Sequence, residues 1–450
     1  MKALSVNMTE ESPFRHIAAF ALPMLLGNLL QQVYNLADTL IVGKYLGDNA
    51  LAAVGATGSV TYFFYTLCLG LLTGAGIIIS QFFGAGIEQK VKSAIFNSGI
   101  MTLFFGTVVS IISVILTEPV LRFMNTPENL ISDSAAYMKI VCGGTIAVAA
   151  YNWIMAVMRA LGDSKTPLIF LGLANVLNVG LDLLFVVVFG MGISGAAAAT
   201  VLAQGFSAVC SIIYGFAKNK NISLTKSDMR LSGNMLAVCF KTGMNIAVQN
   251  ATISVSMIAL QRVTNSFGET VMAAYTVTMR IEQLIQQPFS SLSAAMSTFT
   301  GQNAGAARSE RMVNGYHIGM KMSAAVAVVV MAIFLLTAQY VVGLFVSGED
   351  VISIGAAALR LTSCFYLFLG TIHVTRGFLN GAGDTTYAMI NGLVEVVCRI
   401  AFSLILTKIA FIGYYGIWAT TAVTWLVTAA FSVIRYKQGT WRKKSLVTAE

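Results

Sequence analysis

Twelve apolar stretches, each long enough to cross a bilayer and separated by short polar breaks, take up nearly the whole chain. They run over 14–42, 50–80, 93–117, 131–160, 166–189, 193–217, 236–265, 270–300, 312–338, 351–380, 386–410 and 413–436. A hydrocarbon core of about 30 Å takes about 20 helical residues per crossing. Backbone N–H and C=O groups in lipid must bond within their own helix or around a closed barrel. Long unbroken apolar runs such as Ala324 to Leu336 lack the alternation of barrel strands, so helices are the spanning element. Composition agrees, because 56% of the 450 residues are apolar and only 10% charged, whereas soluble domains carry about 25% charged residues. The fold class expected is an all-α polytopic membrane protein with twelve transmembrane helices.

The net charge of +9 is spread along one side of these helices. Counted by loop, that side collects twenty Lys and Arg, Lys2, Arg159, Lys218, Lys220, Arg308, Arg311 and Arg376 among them, against six on the other. By the positive-inside rule both termini are cytoplasmic and the chain is a multi-pass protein of the cell membrane. Basic charge of this kind does not suggest nucleic acid, since it is not grouped with exposed aromatics. The first stretch, interrupted by Gln31, Gln32, Asn35 and Asp38, is too long for a signal peptide. Cys68, Cys142, Cys210, Cys239, Cys364 and Cys398 lie in apolar segments without metal-type spacing and are expected to be buried free thiols.

A shift of 221 residues superposes the chain on itself, Ala52 on Ala273, Thr57 on Thr278, Gln81 on Gln302, Gly162 on Gly383, Asp163 on Asp384, Gly192 on Gly413 and Thr200 on Thr421. Each half has an even number of crossings, so the repeats are parallel and related by a pseudo-twofold axis along the membrane normal. This predicts two six-helix lobes, 1–217 and 235–437, a cytoplasmic linker 218–234 and a basic cytoplasmic tail 438–450. Transporters with such repeats bind substrate near the midplane and rock their lobes to alternate access.

Four acids, Asp38, Asp182, Glu282 and Glu395, fall well inside the stretches. A carboxylate at mid-membrane costs about 2.5 to 3.5 kcal/mol on insertion scales, so a retained one points to function. Asp38 ends a stripe Gln31, Tyr34, Asn35 on one face of the first helix, and Asp182 ends a stripe Asn175, Asn178 on the fifth. Should these faces meet, Asp38, Asn178, Asp182 and a hydroxyl such as Thr200 make an oxygen-lined pocket for a proton or Na⁺. Glu282 stands with Met279, Gln283 and Gln286 on the eighth helix, a combination suited to a cavity for organic cations or to helix packing. Glu395 precedes Arg399 by four residues, the order of a same-face structural or gating ion pair. The repeat partner of Asn178 is Arg399 and that of Asp182 is Ser403, so the lobes divide their tasks, coupling in the first and substrate attraction through Glu282 in the second. Pro23 and Pro288 permit kinks inside helices.

The segments Pro23 to Asp38 (PMLLGNLLQQVYNLAD), Arg159 to Pro167 (RALGDSKTP) and Gly301 to Ala306 (GQNAGA), in this order on twelve helices, resemble the multidrug and toxic compound extrusion (MATE) family over essentially the whole chain. The resemblance implies a secondary antiporter that exports structurally varied organic cations against inward H⁺ or Na⁺, needs no cofactor, and works as a monomer among membrane lipids. It is nearest the DinF-type and MepA-like branches. There the residues matching Asp38, Asn178, Asp182 and Thr200 form the first-lobe cation site, those matching Gln31, Tyr34 and Asn152 line the substrate cavity, and the Glu282 position carries an acid. The second-lobe acid of the NorM-type branch has no match, since Asn250 to Asn265 holds no Asp or Glu. A flippase for a lipid-linked cell-envelope precursor, from the same superfamily, is the alternative; its cavity is commonly strongly basic. An enzyme is not expected, because no intramembrane cluster has metal or nucleophile spacing.

Overall fold

A computed structural model describes residues 5–124 and 126–445; Lys2 and residues 446–450 of the basic tail lie outside this range. Among the described residues there are helices and no strands. The first half contains α1 (Pro13–Leu46), α2 (Asp48–Gly84), α3 (Glu88–Phe123), α4 (Glu128–Gly143), α5 (Thr145–Ala160), α6 (Lys165–Asp182) and α7 (Gly192–Lys218). The second contains α8 (Gly233–Asn265), α9 (Glu269–Gly305), α10 (Ser309–Gly343), α11 (Glu349–Ser363), α12 (Tyr366–Gly381), α13 (Thr385–Leu406) and α14 (Gly416–Gln438).

Nine helices of the described residues are long and apolar enough to span on their own. Two further crossings are bent, α4 with α5 by 41° and α11 with α12 by 52°. The sequence reading took each of these as one unbroken stretch, 131–160 and 351–380. Gly144 sits at the first break and the short Cys364–Phe365 segment at the second, so the kinks belong to the backbone and need no proline. The twelfth crossing is α9, 37 residues long. It falls short of the others in hydropathy because Arg280, Glu282, Gln283, Gln286 and Gln287 interrupt it.

The repeat is written into the backbone. Left-handed residues recur in pairs at the same 221-residue shift: Gly47 (φ 84°) with Gly268 (87°), Gly162 (85°) with Gly383 (91°), and Gly192 (61°) with Gly413 (53°). Gly86 (73°) pairs with Ala307 (55°), an alanine held in a conformation that costs a Cβ-bearing residue about 1 kcal/mol or more. Identical turns at identical spacing mean that both halves fold the same way.

Two compact units result, Met1–Asn7 with Leu22–Ala247, and Met8–Ala21 with Val248–Glu450. The chain changes unit inside α1, next to Pro23, and again inside α8. In lipid, helices associate by close packing of small residues, and this accounts for the second change. A Cβ on Gly70 would lie 2.3 Å from the Ala247 Cα, and one on Gly74 2.3 Å from the Gly243 Cα, so α2 and the first half of α8 touch backbone to backbone in unit 1. In unit 2 the same device joins α12 to α9, where a Cβ on Gly377 would lie 2.3 Å from the Ser293 carbonyl oxygen. Residues Met8 to Glu11 are bound to unit 2 by polar contacts: Met8 N donates to Gln302 Oε1 (2.8 Å), Arg311 Nη2 to the Met8 carbonyl (2.9 Å), and Arg308 to that of Thr9. The linker is held on unit 1, where Asn97 bonds both the Arg230 carbonyl (3.1 Å) and the Ser232 amide (2.9 Å).

All six cysteines are free. Cys364, at the α11–α12 bend, is exposed rather than buried as expected, and Cys210 and Cys398 are half-buried.

Candidate functional site

Unit 1 contains an open cavity of about 640 Å³, within the range of about 300 to 1,000 Å³ usual for small-molecule sites. Gln31, Tyr34, Asn35 and Asp38 border it on α1, Asn152 on α5 and Thr200 on α7. The stripe read on the first helix therefore faces one hollow. Sequence reasoning missed its aromatic walls, Tyr62 and Tyr65 on α2, Tyr137 on α4 and Tyr151 on α5. The signal was present: Thr57, Thr61, Tyr65 and Leu69 recur every four residues, and Val148, Tyr151, Asn152, Met155 and Arg159 follow helical spacing.

Asn178 and Asp182 lie behind the cavity wall on α6, both buried, with Asp182 fully so. Asp182 is the last α-helical residue before a π-helical turn, Leu183–Val188. Such turns arise where one residue too many is accommodated in a helix, and they concentrate at functional sites. Here the turn redirects the chain immediately after the acid.

The carboxyl groups of Asp38 and Asp182 come within hydrogen-bonding range of each other. With its amide nitrogen facing the acid, Asn178 donates to Asp182 Oδ2 at 2.8 Å and accepts from the Thr200 amide at 3.1 Å. The Tyr34 hydroxyl lies 3.5 Å from Thr200 Oγ1. Asp182 Oδ1, by contrast, is buried and meets no donor. Two carboxyls side by side, one with an unsatisfied oxygen, form a stable arrangement only when a proton or a small cation lies between them. The four residues read as a coupling site are thus brought together, with Tyr34 added.

The second group divides. Glu282 is buried, its Oε1 meets no hydrogen-bond partner, and it lies within electrostatic reach of Arg399. Gln283 is exposed, while Met279 and Gln286 are half-buried. None of the four borders the cavity of unit 1. Glu395 and Arg399 do pair, Arg399 Nη2 to Glu395 Oε1 at 2.9 Å, and Arg399 Nη1 donates to Ser256 Oγ at 2.6 Å. A third member was misplaced by the sequence reading. Arg376, counted there as a loop charge, stands in α12 and donates to Glu395 Oε2 at 3.0 Å and to Asn391 Oδ1 at 2.9 Å. One carboxylate therefore serves two guanidiniums and ties α12 to α13.

A family model described as MatE matches residues 23–184 and 246–405. The chain is 28% identical to a probable multidrug resistance protein, YpnP of Bacillus subtilis, over 98% of this chain and 99% of that one. It is 24% identical to a probable multidrug resistance protein, NorM of Thermotoga maritima, over 97% and 95%. Among solved structures, a MOP superfamily transporter from Pyrococcus furiosus, described as having a binding pocket of reversed polarity, superposes with a TM-score of 0.91 at 23% identity, over 98% of this chain and 99% of that one. A MATE crystal structure in a bent conformation gives 0.92 at 24%, over 99% of both.

Proposed function

Because the chain belongs to the MatE family, whose model covers both repeats, we propose that it is a secondary antiporter that exports structurally varied organic cations in exchange for H⁺ or Na⁺ by alternating access. The observation that carries this reading is the unsatisfied Oδ1 of Asp182 beside the Asp38 carboxyl, at the wall of a cavity of about 640 Å³. A cation held between these oxygens neutralises them; a cavity walled by tyrosines and methionines, with one acid exposed in it, suits a flat apolar cation through its ring faces and its charge. Asp38 borders the cavity while Asp182 lies behind it, so substrate and coupling ion meet at Asp38, and loading one discourages the other. The relatives' names, multidrug resistance proteins, agree with this.

The flippase alternative calls for a strongly basic cavity, and among the described lining residues Arg159 is the one basic side chain. The test is purified protein in liposomes with one gradient imposed at a time and a fluorescent organic cation as cargo. Uphill movement under a proton or a sodium gradient supports exchange and identifies the ion. Movement indifferent to both gradients, or transfer of an anionic lipid instead, refutes it.

A further inference from the structure

The fourth crossing is bent by 41° between α4 and α5, and the bend divides the cavity wall. Tyr137 and Val141 border the hollow from α4, Val148, Tyr151, Asn152 and Met155 from α5. A helix leaves its last four carbonyls without donors of its own, and lipid supplies none. α4 ends at Gly143, so the carbonyls of Ile140, Val141, Cys142 and Gly143 need partners elsewhere. The Gly144 amide takes that of Ile140 at 3.0 Å. The Ala147 amide, which would reach Gly143 in an unbroken helix, bonds the Gly144 carbonyl instead at 2.9 Å. The remaining three are met from two other helices. The Tyr65 hydroxyl on α2 donates to the Val141 carbonyl at 3.4 Å, and Ser110 Oγ on α3 lies 3.0 Å from the Cys142 carbonyl and 2.8 Å from that of Gly143.

Ser110 does not itself border the cavity, and its bond is unlike those of its neighbours. The hydroxyls of Ser98, Thr102, Thr107, Ser113 and Thr117 donate to carbonyls of α3, the usual resort of a helical Ser or Thr. That of Ser110 reaches across to the free end of α4. α7 packs into the same notch, where a Cβ on Gly144 would lie 2.4 Å from Val201 Cγ2; Val201 follows Thr200, which borders the hollow. The second unit shows what the fold alone requires. Its crossing bends more, by 52° between α11 and α12, yet the residues 221 positions beyond Tyr65 and Ser110 are Gln286 and Met331, and a thioether has no hydrogen to donate. A bend of this kind therefore forms without a hydroxyl from the helix before it.

Resting on the antiport reading above, we propose that Ser110 is a positioning residue for the substrate: from outside the hollow, its hydroxyl fixes the α4–α5 bend and so the angle between the walls that carry Tyr137 and Tyr151. Tyr151 stands seven residues beyond Gly144, about 10 Å along the helix. A change of about 10° at the hinge moves it by about 2 Å, and a gap of about 1 Å already forfeits up to half of a ring contact.

The test compares wild type, Ser110→Ala, Ser110→Thr and Thr107→Ala, the last removing a hydroxyl that bonds its own helix at Leu103. Affinity for the cationic dye ethidium is read by fluorescence polarisation in detergent, and KM and kcat by gradient-driven uptake in liposomes. Ser110→Ala should weaken binding about two- to tenfold and raise KM to match with kcat near wild type, because the folded protein holds its walls at the wrong angle. Ser110→Thr keeps the donor and should bind as wild type does, as should Thr107→Ala. If Ser110→Ala does not fold, Ser110→Cys, with its weak donor, carries the test with a smaller loss in the same direction. Wild-type affinity in Ser110→Ala, equal losses in Ser110→Ala and Thr107→Ala, or a fall in kcat at unchanged KM overturns the proposal, the last because it marks a loss of active protein alone. Wild-type protein that binds no ethidium overturns it too. Failure of the antiport reading shows separately, as ethidium binding by wild type with no gradient-driven movement.

Discussion

Replacing Asp182 with asparagine removes one negative charge from the facing pair and almost nothing else. The side chain keeps its shape, and its oxygen can still accept from the Asn178 amide, now 2.8 Å from Asp182 Oδ2. The coupling cation loses its attraction to one carboxylate. At 4 Å and an effective dielectric of 20 that attraction is about 4 kcal/mol, or about a thousandfold in affinity. Gradient-driven efflux of a cationic dye from liposomes should fall to about 1% of wild type or below on that scale, while yield, monodispersity and melting temperature stay close to wild type. The Asp38→Asn, Asp182→Asn double variant should be no worse than either single one, because two groups that share one ligand act as a unit. Near-normal uphill transport by Asp182→Asn under an imposed gradient would refute the assignment, and so would additive losses in the double variant.

Other expectations concern the scaffold. Glu395→Gln leaves Arg376 and Arg399 facing a neutral amide, with side-chain exposures of only 14% and 1%; breaking a buried pair in this way costs about 3 to 5 kcal/mol, which a thermal unfolding series should register as a large loss. An unchanged melting temperature would mean that this tie carries no stability. Gly70→Leu drives a side chain into the α2–α8 crossing, where even a Cβ would lie 2.3 Å from backbone; overpacking of about 1 to 3 kcal/mol or more should reduce folded yield, and wild-type yield would show that α8 does not pack there.

Much of this was legible in the sequence because lipid makes polarity informative. In a medium that penalises every charge, Asp38 and Asp182 stood out, and helical spacing put Tyr34 on the face of the first and Asn178 on that of the second, while Thr200 was named only as a candidate hydroxyl and by resemblance. The repeat was legible because its turns need left-handed glycines, as at Gly162 and Gly383, and identity survives where the backbone demands it. What stayed hidden depends on features with no periodic signature. The π-turn after Asp182 is a one-residue misfit in hydrogen bonding, and the bend at Gly144 involves one small residue among the 40 glycines of the chain. Arg376 resembles a loop charge because its partner Glu395 is 19 residues away on another helix. The cavity tyrosines were passed over because aromatic residues in such a chain are equally at home against lipid.

The two units share a backbone and differ in charge at the same place, which bears on how many ions one cycle moves. The second-unit counterparts of Asp38, Asn178 and Asp182 are Ala259, Arg399 and Ser403. Both acids are gone, and the position that in unit 1 steadies a carboxylate holds a guanidinium bound by Glu395 at 2.9 Å and Ser256 at 2.6 Å. A covalently tethered cation thus occupies, in the second unit, the place given to an exchangeable one in the first. Its charge is satisfied permanently, so no gradient can load or unload it. If coupling resides at Asp38 and Asp182, the chain has one exchangeable site per cycle, and the dependence of transport rate on the driving ion should follow a Hill coefficient near one. A clearly sigmoidal dependence would require a second site and would send the search back to Glu282, among the described residues of unit 2 the buried acid with an unpartnered oxygen.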